Sequence, residues 1–169
     1  SEVVAGALEM GAEVINDMGG LPDGHNARLA AGHGAALLLM HTAGPPKVQQ
    51  TDHYWDDVMA ELERFFGDKL ALAQLEGLSP DQLVIDPGID FAKQREDNLR
   101  LMRELDRLQK FERPVLLPIS RKTVIGEVLG IEDPAGRDAG TMALLAAGMG
   151  CGAQLFRVPH VDAAWQAVH

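Results

Sequence analysis

Cysteine is nearly absent from this 169-residue sequence, which contains one, Cys151. A single thiol excludes an internal disulfide framework and a cluster of thiolate metal ligands. It fits a reducing compartment, and we expect a cytoplasmic protein. Long apolar runs are also absent. The run at residues 144–147 is far shorter than the roughly 20 residues that span a bilayer, so we expect no membrane contact.

Positive charge is scarce as well. The sequence has 15 Lys and Arg residues against 25 Asp and Glu residues, and its net charge is -10. A field of this sign repels phosphate polymers and anionic lipid surfaces, so we expect no nucleic acid among the partners. A small anionic substrate held by a few local bases is compatible with it. The hydrophobic content of 46% is typical of a globular domain.

Short apolar runs alternate with longer amphipathic stretches along the whole chain. Runs that are apolar at consecutive positions are typical of parallel strands covered on both faces. We predict strands at residues 13–16, 35–40, 83–86, 114–119 and 153–158, and helices at residues 1–10, 26–33, 54–75, 95–111, 137–148 and 161–168. This alternation indicates an α/β fold with a parallel sheet.

Two glycine motifs that bind phosphate groups are missing. No Gly-x-Gly-x-x-Gly follows a predicted strand and there is no P-loop, so the repeat favours a barrel over a dinucleotide-binding sheet. A closed eight-stranded barrel takes at least about 200 residues, whereas this chain supplies five strand–helix units. The pattern leaves two architectures open: an open five-stranded sheet, or the C-terminal part of a barrel.

Polar side chains follow each predicted strand. Ligands of parallel α/β folds gather at the carboxyl ends of the strands, so these residues are candidates for a site. They are Asn16, Asp17, Met40, His41, Asp86, Ser120, Arg121, Lys122 and Arg157. An amide, a carboxylate, an ammonium and a guanidinium on one rim suit a heterocycle with an anionic tail. No His or Cys pair has metal-binding spacing, so we predict no metal ligand.

Four motifs resemble those of the dihydropteroate synthases, the pterin-binding enzymes of folate biosynthesis that sulfonamides inhibit. They are Val14-Ile15-Asn16-Asp17, Leu39-Met40-His41 with Gly44-Pro45-Pro46, Ile85-Asp86-Pro87-Gly88-Ile89-Asp90-Phe91-Ala92-Lys93, and Ile119-Ser120-Arg121-Lys122-Thr123-Val124-Ile125-Gly126. Their order and spacing run across essentially the whole chain. The resemblance implies a (β/α)8 TIM barrel, of which residues 1–169 are the C-terminal part of a single domain without the first three strands.

By this resemblance the protein is a transferase that condenses a dihydropterin pyrophosphate with p-aminobenzoate. The residues implied to bind these substrates are Asn16, Met40, Asp86, Phe91, Lys93, Lys122, Thr123, Arg157 and His160. Asp86, Lys122 and Arg157 are the implied catalytic residues. The resemblance also implies a Mg²⁺ cofactor, with ligands mainly in the absent N-terminal segment, and a homodimer formed through the later helices.

The resemblance gives these residues distinct roles. Asp86 accepts hydrogen bonds from the amino and ring N–H groups of the pterin, and Asn16 offers a donor and an acceptor to the ring edge. Lys122 donates to the carbonyl side of the pterin. The loop that follows Asp86 forms one side of the p-aminobenzoate site. Arg157 binds the leaving pyrophosphate.

Three positions depart from the family's pattern, one of them Val124, which replaces a commoner bulky residue after the Ser-Arg-Lys segment. Pro159 stands where a histidine is expected, with His160 next to it, and Asp90 replaces a usual glycine beside Phe91. Two alternative functions stay open. One is a methyltetrahydrofolate-dependent methyltransferase, which shares the Asn and Asp pterin contacts, although the Ser-Arg-Lys segment argues against it. The other is a degenerate barrel that binds pterin without turnover.

Overall fold

The computed structural model describes residues 2–44 and 53–168. In this part of the chain five strands alternate with seven helices. They are α1 (Glu2–Glu9), β1 (Val14–Asp17), α2 (His25–His33), β2 (Ala36–Met40), α3 (Val58–Leu75), β3 (Leu83–Asp86), α4 (Arg95–Arg103), β4 (Leu116–Pro118), α5 (Thr123–Leu129), α6 (Asp138–Gly150), β5 (Leu155–Arg157) and α7 (Val161–Val168). The predicted α/β class is confirmed. Ser1, Pro45 and Pro46, which belong to predicted features, lie outside the described residues.

The strands are parallel and follow one another in sequence order. β1 pairs with β2, β2 pairs with β3, and β4 pairs with β5. A parallel bridge between Ile85 and Val115 connects β3 to the start of the β4 segment. Met40 at the end of β2 lies opposite Asp86 at the end of β3. Because the strands are parallel, their carboxyl ends and the residues that follow them lie on one side of the sheet, which we call the rim.

Helix α3 covers the sheet with one apolar face. Its buried residues are Val58, Met59, Leu62, Phe65, Phe66, Leu70 and Ala73. The prediction placed the start of this helix at residue 54, but α3 begins at Val58. The Asp57 side chain accepts hydrogen bonds from the backbone N–H groups of Met59 and Ala60, and this N-cap fixes the first turn.

One further predicted helix is wrong in its extent, and one helix was missed. The predicted helix at 95–111 is two elements, because α4 ends at Arg103 and a 3₁₀ segment, Leu105–Phe111, follows it. Leu105 and Leu108 are fully buried and three residues apart, the repeat of a 3₁₀ helix. Helix α5 was not predicted at all. Its seven residues give about two turns of periodicity, which is too short a pattern to separate from a loop.

The two outer strands pair on one side only within the described residues. Val14 of β1 is 55% exposed and Leu155 of β5 is 42% exposed. Central strands are covered, since Leu37, Leu39 and Ile85 have no exposed surface. No helix in the described part of the chain has both the length and the apolar character that crossing a bilayer requires.

Candidate functional site

Asp86 is a buried carboxylate at the end of β3. It is 2% exposed, and its Oδ1 accepts a hydrogen bond of 2.8 Å from the backbone N–H of Gly88. Burial raises the pKa of Asp86 to about 6, although the Gly88 N–H and the charges of Lys122, Lys93 and Arg157 act in the opposite direction. Cations from three different segments therefore act on one carboxylate at the rim.

Lys122, the residue before α5, reaches back over the loop that follows β3. Its Nζ donates a hydrogen bond of 2.8 Å to the carbonyl oxygen of Ile89 and lies 4.7 Å from the centroid of the Phe91 ring. Burial lowers the pKa of Lys122, while the negative charges of Asp90 and Asp86 raise it. The ammonium group is thus held against an aromatic face next to the buried carboxylate.

Residues 87–94 form a loop, which we call the 87–94 loop. Lys93 belongs to this loop, and its side chain points to the buried side, so that the residue is only 8% exposed. Its Nζ donates to the carbonyl oxygens of Gly88 and Phe91, both at 3.1 Å, and lies 2.8 Å from Nδ1 of His41. Burial, with the nearby Lys93 charge, lowers the pKa of His41 to about 2, so its neutral ring accepts this bond. Burial also lowers the pKa of Lys93 to about 7. Each proton of the ammonium form has a partner.

The backbone of the same loop enters the left-handed region three times. The φ angles are 70° at Gly88, 66° at Asp90 and 49° at Ala92. Trp55 supports the last of these, because its Nε1 donates a hydrogen bond of 2.7 Å to the carbonyl oxygen of Ala92. Left-handed backbone at non-glycine residues persists only where surrounding contacts hold it. The contacts around this loop do so from several segments.

Asp90 joins the loop to the start of α5. Its carboxylate accepts hydrogen bonds from the backbone N–H groups of Thr123, at 2.5 Å, and Val124, at 3.3 Å. Asn98 of α4 holds Asp90 from the other side. The Asn98 Oδ1 accepts from the Asp90 N–H at 2.9 Å, and its Nδ2 donates to the Asp90 Oδ1 at 3.2 Å.

Arg137 fixes the turn that carries Lys122. It is 8% exposed, and its guanidinium donates to the carbonyl oxygens of Arg121 at 3.2 Å and Lys122 at 3.3 Å. It also donates to the carbonyl oxygens of Ile131 at 3.0 Å and Glu132 at 2.6 Å. A buried cation surrounded by carbonyl oxygens is a structural clamp, and here it holds the segment after β4 against the start of α6.

Asn16 and Arg157 are exposed at the rim. Among the described residues, neither side chain has a hydrogen bond or ion pair with another protein group. His160 is engaged instead, because its Nε2 lies 3.1 Å from Oδ2 of Asp138. The Arg121 guanidinium donates two hydrogen bonds to the same carboxylate, of 2.7 Å and 2.9 Å. The rim therefore offers one amide and one guanidinium that are open to a ligand.

The described residues contain no group of three or more His, Cys, Asp or Glu side chains that could hold a metal ion. They therefore do not fit a Mg²⁺ site by themselves.

Known proteins are similar to this chain in both sequence and fold. The sequence profile described as pterin binding enzyme matches residues 1–159. The chain belongs to this family. A dihydropteroate synthase of Synechocystis sp. is 37% identical over 164 residues, which are 96% of this chain and 57% of that protein. The chain thus spans somewhat more than half of the length of this relative.

Two solved structures of the family are similar in both fold and sequence. Dihydropteroate synthase from Stenotrophomonas maltophilia, with active site-bound imidazole, superposes with a TM-score of 0.94 at 34% identity, covering 99% of this chain and 63% of that one. Dihydropteroate synthase from Thermus thermophilus, in complex with 4-aminobenzoate, gives a TM-score of 0.92 at 39% identity, covering 99% of this chain and 68% of that one.

In this member of the family the remaining predicted site residues are placed as follows. Met40 is buried opposite Asp86, and Thr123 is exposed as the first residue of α5. Pro159 and His160 line an open depression with the first residues of α7. The roles of these residues toward substrate stay predictions.

Three residues that support the rim were missed as functional residues. They are Asp90, Asn98 and Arg137. Asp90 alone carried a signal in the sequence, because it stands where the resemblance leads one to expect glycine. Asn98 and Arg137 sit in ordinary helical and turn sequence, and their partners lie on other elements.

Proposed function

We propose that this chain carries much of the substrate site of a dihydropteroate synthase, the transferase that condenses a dihydropterin pyrophosphate with p-aminobenzoate. The observation that carries the proposal is the burial of the Asp86 carboxylate among three cationic side chains. This carboxylate lies at the end of β3, and the charges of Lys93, Lys122 and Arg157 act on it. The likeness to dihydropteroate synthases along nearly the whole chain supports this reaction over methyl transfer.

Asp86 is suited to bind the amino and ring N–H groups of a pterin. Its Oδ1 already accepts from the Gly88 N–H, whereas its Oδ2 has no hydrogen-bond partner among the described residues. A pair of N–H groups on one edge of a heterocycle binds a carboxylate strongly and with a defined direction. Asn16 supplies a second polar contact, and Lys122 donates to the carbonyl side of the ring.

We propose that p-aminobenzoate binds beside Phe91 and Thr123. The Phe91 ring already packs against the Lys122 ammonium, and Thr123 presents an exposed hydroxyl at the start of α5. Lys93 plays a different part from the one that the resemblance implies. Because two of its polar contacts are carbonyls of the loop and the third is the buried ring of His41, it positions Phe91 from the buried side and does not line the pocket.

The proposed reaction needs positioning more than acid or base catalysis. The amine nitrogen of p-aminobenzoate attacks the pterin methylene carbon, the C–O bond breaks, and pyrophosphate leaves with the electron pair. The amine then loses a proton to solvent. Arg157, exposed and unpaired among the described residues, stabilises the departing anion, with His160 nearby. The described residues do not fit Mg²⁺, so no step here involves it, and a Mg²⁺ requirement stays an expectation of the resemblance.

We propose that residues 1–169 are the C-terminal part of one domain, a TIM barrel whose eight strands include these five. The one-sided pairing of β1 and β5 within the described residues supports this architecture, since a closed barrel pairs every strand on both sides. We also propose a homodimer. Large apolar side chains stay exposed on the later helices, namely Val128, Leu129, Met149, Val161 and Trp165.

An activity assay tests the proposed function. The full product of the gene is incubated with dihydropterin pyrophosphate, p-aminobenzoate and Mg²⁺, and dihydropteroate is measured by chromatography. We expect product with the native protein and with Lys110→Ala, and much less with Lys122→Ala. Pterin binding without product would instead support the degenerate barrel. Methyl transfer from methyltetrahydrofolate would support the methyltransferase.

A further inference from the structure

We propose that Asp90 is a positioning residue for p-aminobenzoate, because its carboxylate joins the 87–94 loop to the first turn of α5 and so fixes Phe91 relative to Lys122 and Thr123. This inference rests on the proposed synthase function. It concerns a position at which the sequence departs from the glycine that the resemblance leads one to expect.

Two connections between the same segments run in opposite directions. The Asp90 side chain accepts from the backbone N–H groups of Thr123 and Val124. In return, the Lys122 side chain donates to the backbone carbonyl of Ile89 and lies over the ring of Phe91. The residues on either side of Asp90 are therefore held by the residue that precedes α5. We call this pair of connections the clasp.

Helix α5 depends on Asp90 for its cap. Lys122 occupies the N-cap position but makes no side-chain capping bond. A short helix leaves its first N–H groups without intrahelical partners. Asp90 supplies the acceptor from 33 residues earlier in the chain, so the cap is also a tertiary contact. It places the first turn of α5 against the loop.

The conformation of Asp90 shows that the side chain matters. Its φ of 66° is one that glycine adopts without steric cost and that other residues adopt with some strain. Asn98 holds the backbone and the carboxylate together in this conformation. A glycine at this position would keep the backbone path and lose the bonds that the Asp90 carboxylate makes to the first turn of α5, which makes the substitution a clean test.

The Asp90 side of the clasp borders p-aminobenzoate, whereas the Lys122 side, whose bond to the Ile89 carbonyl does not involve the Asp90 carboxylate, faces the pterin. Phe91 and Thr123, which flank the clasp, are the residues that we place beside p-aminobenzoate. The pterin partner Asp86 is held separately, by the Gly88 N–H and by the pairing of β3 with β2. Loss of the Asp90 carboxylate should therefore weaken the use of p-aminobenzoate and spare the pterin pyrophosphate.

Steady-state kinetics of the full gene product provide the first test. We expect Asp90→Gly to raise the KM for p-aminobenzoate by about threefold to thirtyfold, the factor that matches loss of a helix cap. The KM for the pterin pyrophosphate should change less than about twofold, within the effect of an ordinary surface substitution. Asp90→Asn keeps an oxygen acceptor for the Thr123 N–H and should restore most of the p-aminobenzoate KM.

Asp133→Gly is the matched control. The Asp133 side chain accepts from the Ala135 N–H at 3.0 Å, so this variant also loses a capping carboxylate. It lies in the segment before α6 and makes no hydrogen bond to the 87–94 loop or to the first turn of α5. Both KM values should stay at the native level. An Asp90→Gly protein with native KM values for both substrates, or with both raised equally, would overturn the proposal.

Chemical labelling of Lys122 gives a second test that does not depend on catalysis. The rate at which an acetylating reagent modifies Lys122 is followed by peptide mass spectrometry. We expect faster labelling in Asp90→Gly, because loss of the Asp90 charge, which raises the pKa of Lys122, favours the neutral and reactive amine. Asp133→Gly should label at the native rate. If the native protein makes no dihydropteroate, the proposed function fails, and unchanged Lys122 labelling in Asp90→Gly would separately refute the clasp.

Discussion

The carbonyl oxygen of His41 fills the space in which a side chain on Gly88 would begin. A Cβ at Gly88 would lie 2.0 Å from that oxygen, and the φ of Gly88 is 70°. The backbone N–H of His41 also donates a hydrogen bond of 2.9 Å to the carbonyl oxygen of Asp86. The end of β2 and the start of the 87–94 loop therefore pack backbone against backbone.

Gly88→Ala should destabilise the fold strongly. The methyl group both collides with a backbone oxygen and forces a left-handed alanine, so we expect the free energy of unfolding to fall by more than about 2 kcal/mol. Gly32→Ala is the control, since nothing lies within 4 Å of a Cβ at this helical glycine. It should stabilise by about 0.5–1 kcal/mol. Urea denaturation measures both, and equal stabilities would contradict the packing described here.

Lys93→Met should lower stability although it replaces a charge by an apolar side chain. It leaves the carbonyl oxygen of Phe91 and Nδ1 of His41 without their donor and removes one of the two donors to the Gly88 carbonyl, so we expect the free energy of unfolding to fall by at least ~2 kcal/mol. In Lys69→Met one hydrogen bond is lost, the bond of 2.8 Å to the carbonyl oxygen of Leu21. The decrease in the free energy of unfolding should therefore be smaller. Thermal unfolding followed by circular dichroism compares them. An equal or larger loss in Lys69→Met would be inconsistent with the role assigned to Lys93.

Asp86→Asn and Lys122→Ala should each weaken pterin binding. Each change removes a charged hydrogen-bond partner of the ring, so we expect about 1–3 kcal/mol of lost binding free energy. Isothermal titration calorimetry with a pterin analogue measures it. Lys110→Ala is the control, because Lys110 pairs with Glu63 on the outer helices. Native affinity in both rim variants would refute the assigned pterin site.

Pterin affinity should depend on pH through Asp86. The pKa of Asp86 is raised to about 6 by burial, and the carboxylate must be ionised to accept two N–H donors. Affinity should be constant with respect to this group above about pH 7 and fall about tenfold for each pH unit below its pKa. Titrations between pH 5 and pH 7 test this. Asp86→Asn should be insensitive over that range, and an identical slope in both proteins would show that another group titrates.

The proposed homodimer predicts a dimer mass by light scattering at tens of micromolar protein. Met149 of α6 is 39% exposed among the apolar residues of the later helices. Met149→Glu should shift the protein toward monomer, because a buried charge without a partner is costly at an interface. Leu75→Glu, at an 86% exposed position at the end of α3, should not change the mass. A monomer in the native protein would refute the proposal.

The strands were the part of the fold that the sequence predicted best. Buried parallel strands are apolar at every position, so runs such as residues 35–40 stand out, and residues 83–86 match β3. Helix ends were less accurate because they depend on caps. Asp57 starts α3 through its side chain, and nothing in the periodicity of residues 54–75 reveals which polar residue takes that role.

The candidate site was predictable where a polar residue follows a strand directly. Asp86 and Lys122 were placed at the rim in this way, and the structure holds them beside the same loop, while their roles toward substrate stay predictions. Their support was not predictable, because it depends on contacts between distant segments. Lys93 meets His41 across 52 positions of sequence, and Asp90 meets Thr123 across 33. Local patterns carry no information about such pairs until the strands are placed side by side.

The left-handed turns of the 87–94 loop bear on the entropy of ligand binding. Ordering one residue's backbone costs about 1–2 kcal/mol of conformational entropy. In this loop that loss occurs during folding, since Trp55, Lys93 and Asn98 hold it through the protein's own hydrogen bonds. A small molecule that arrives at the rim meets a wall that is already ordered. Its binding then costs little further backbone entropy of the loop. The residence time of the molecule therefore depends on its own contacts with the protein.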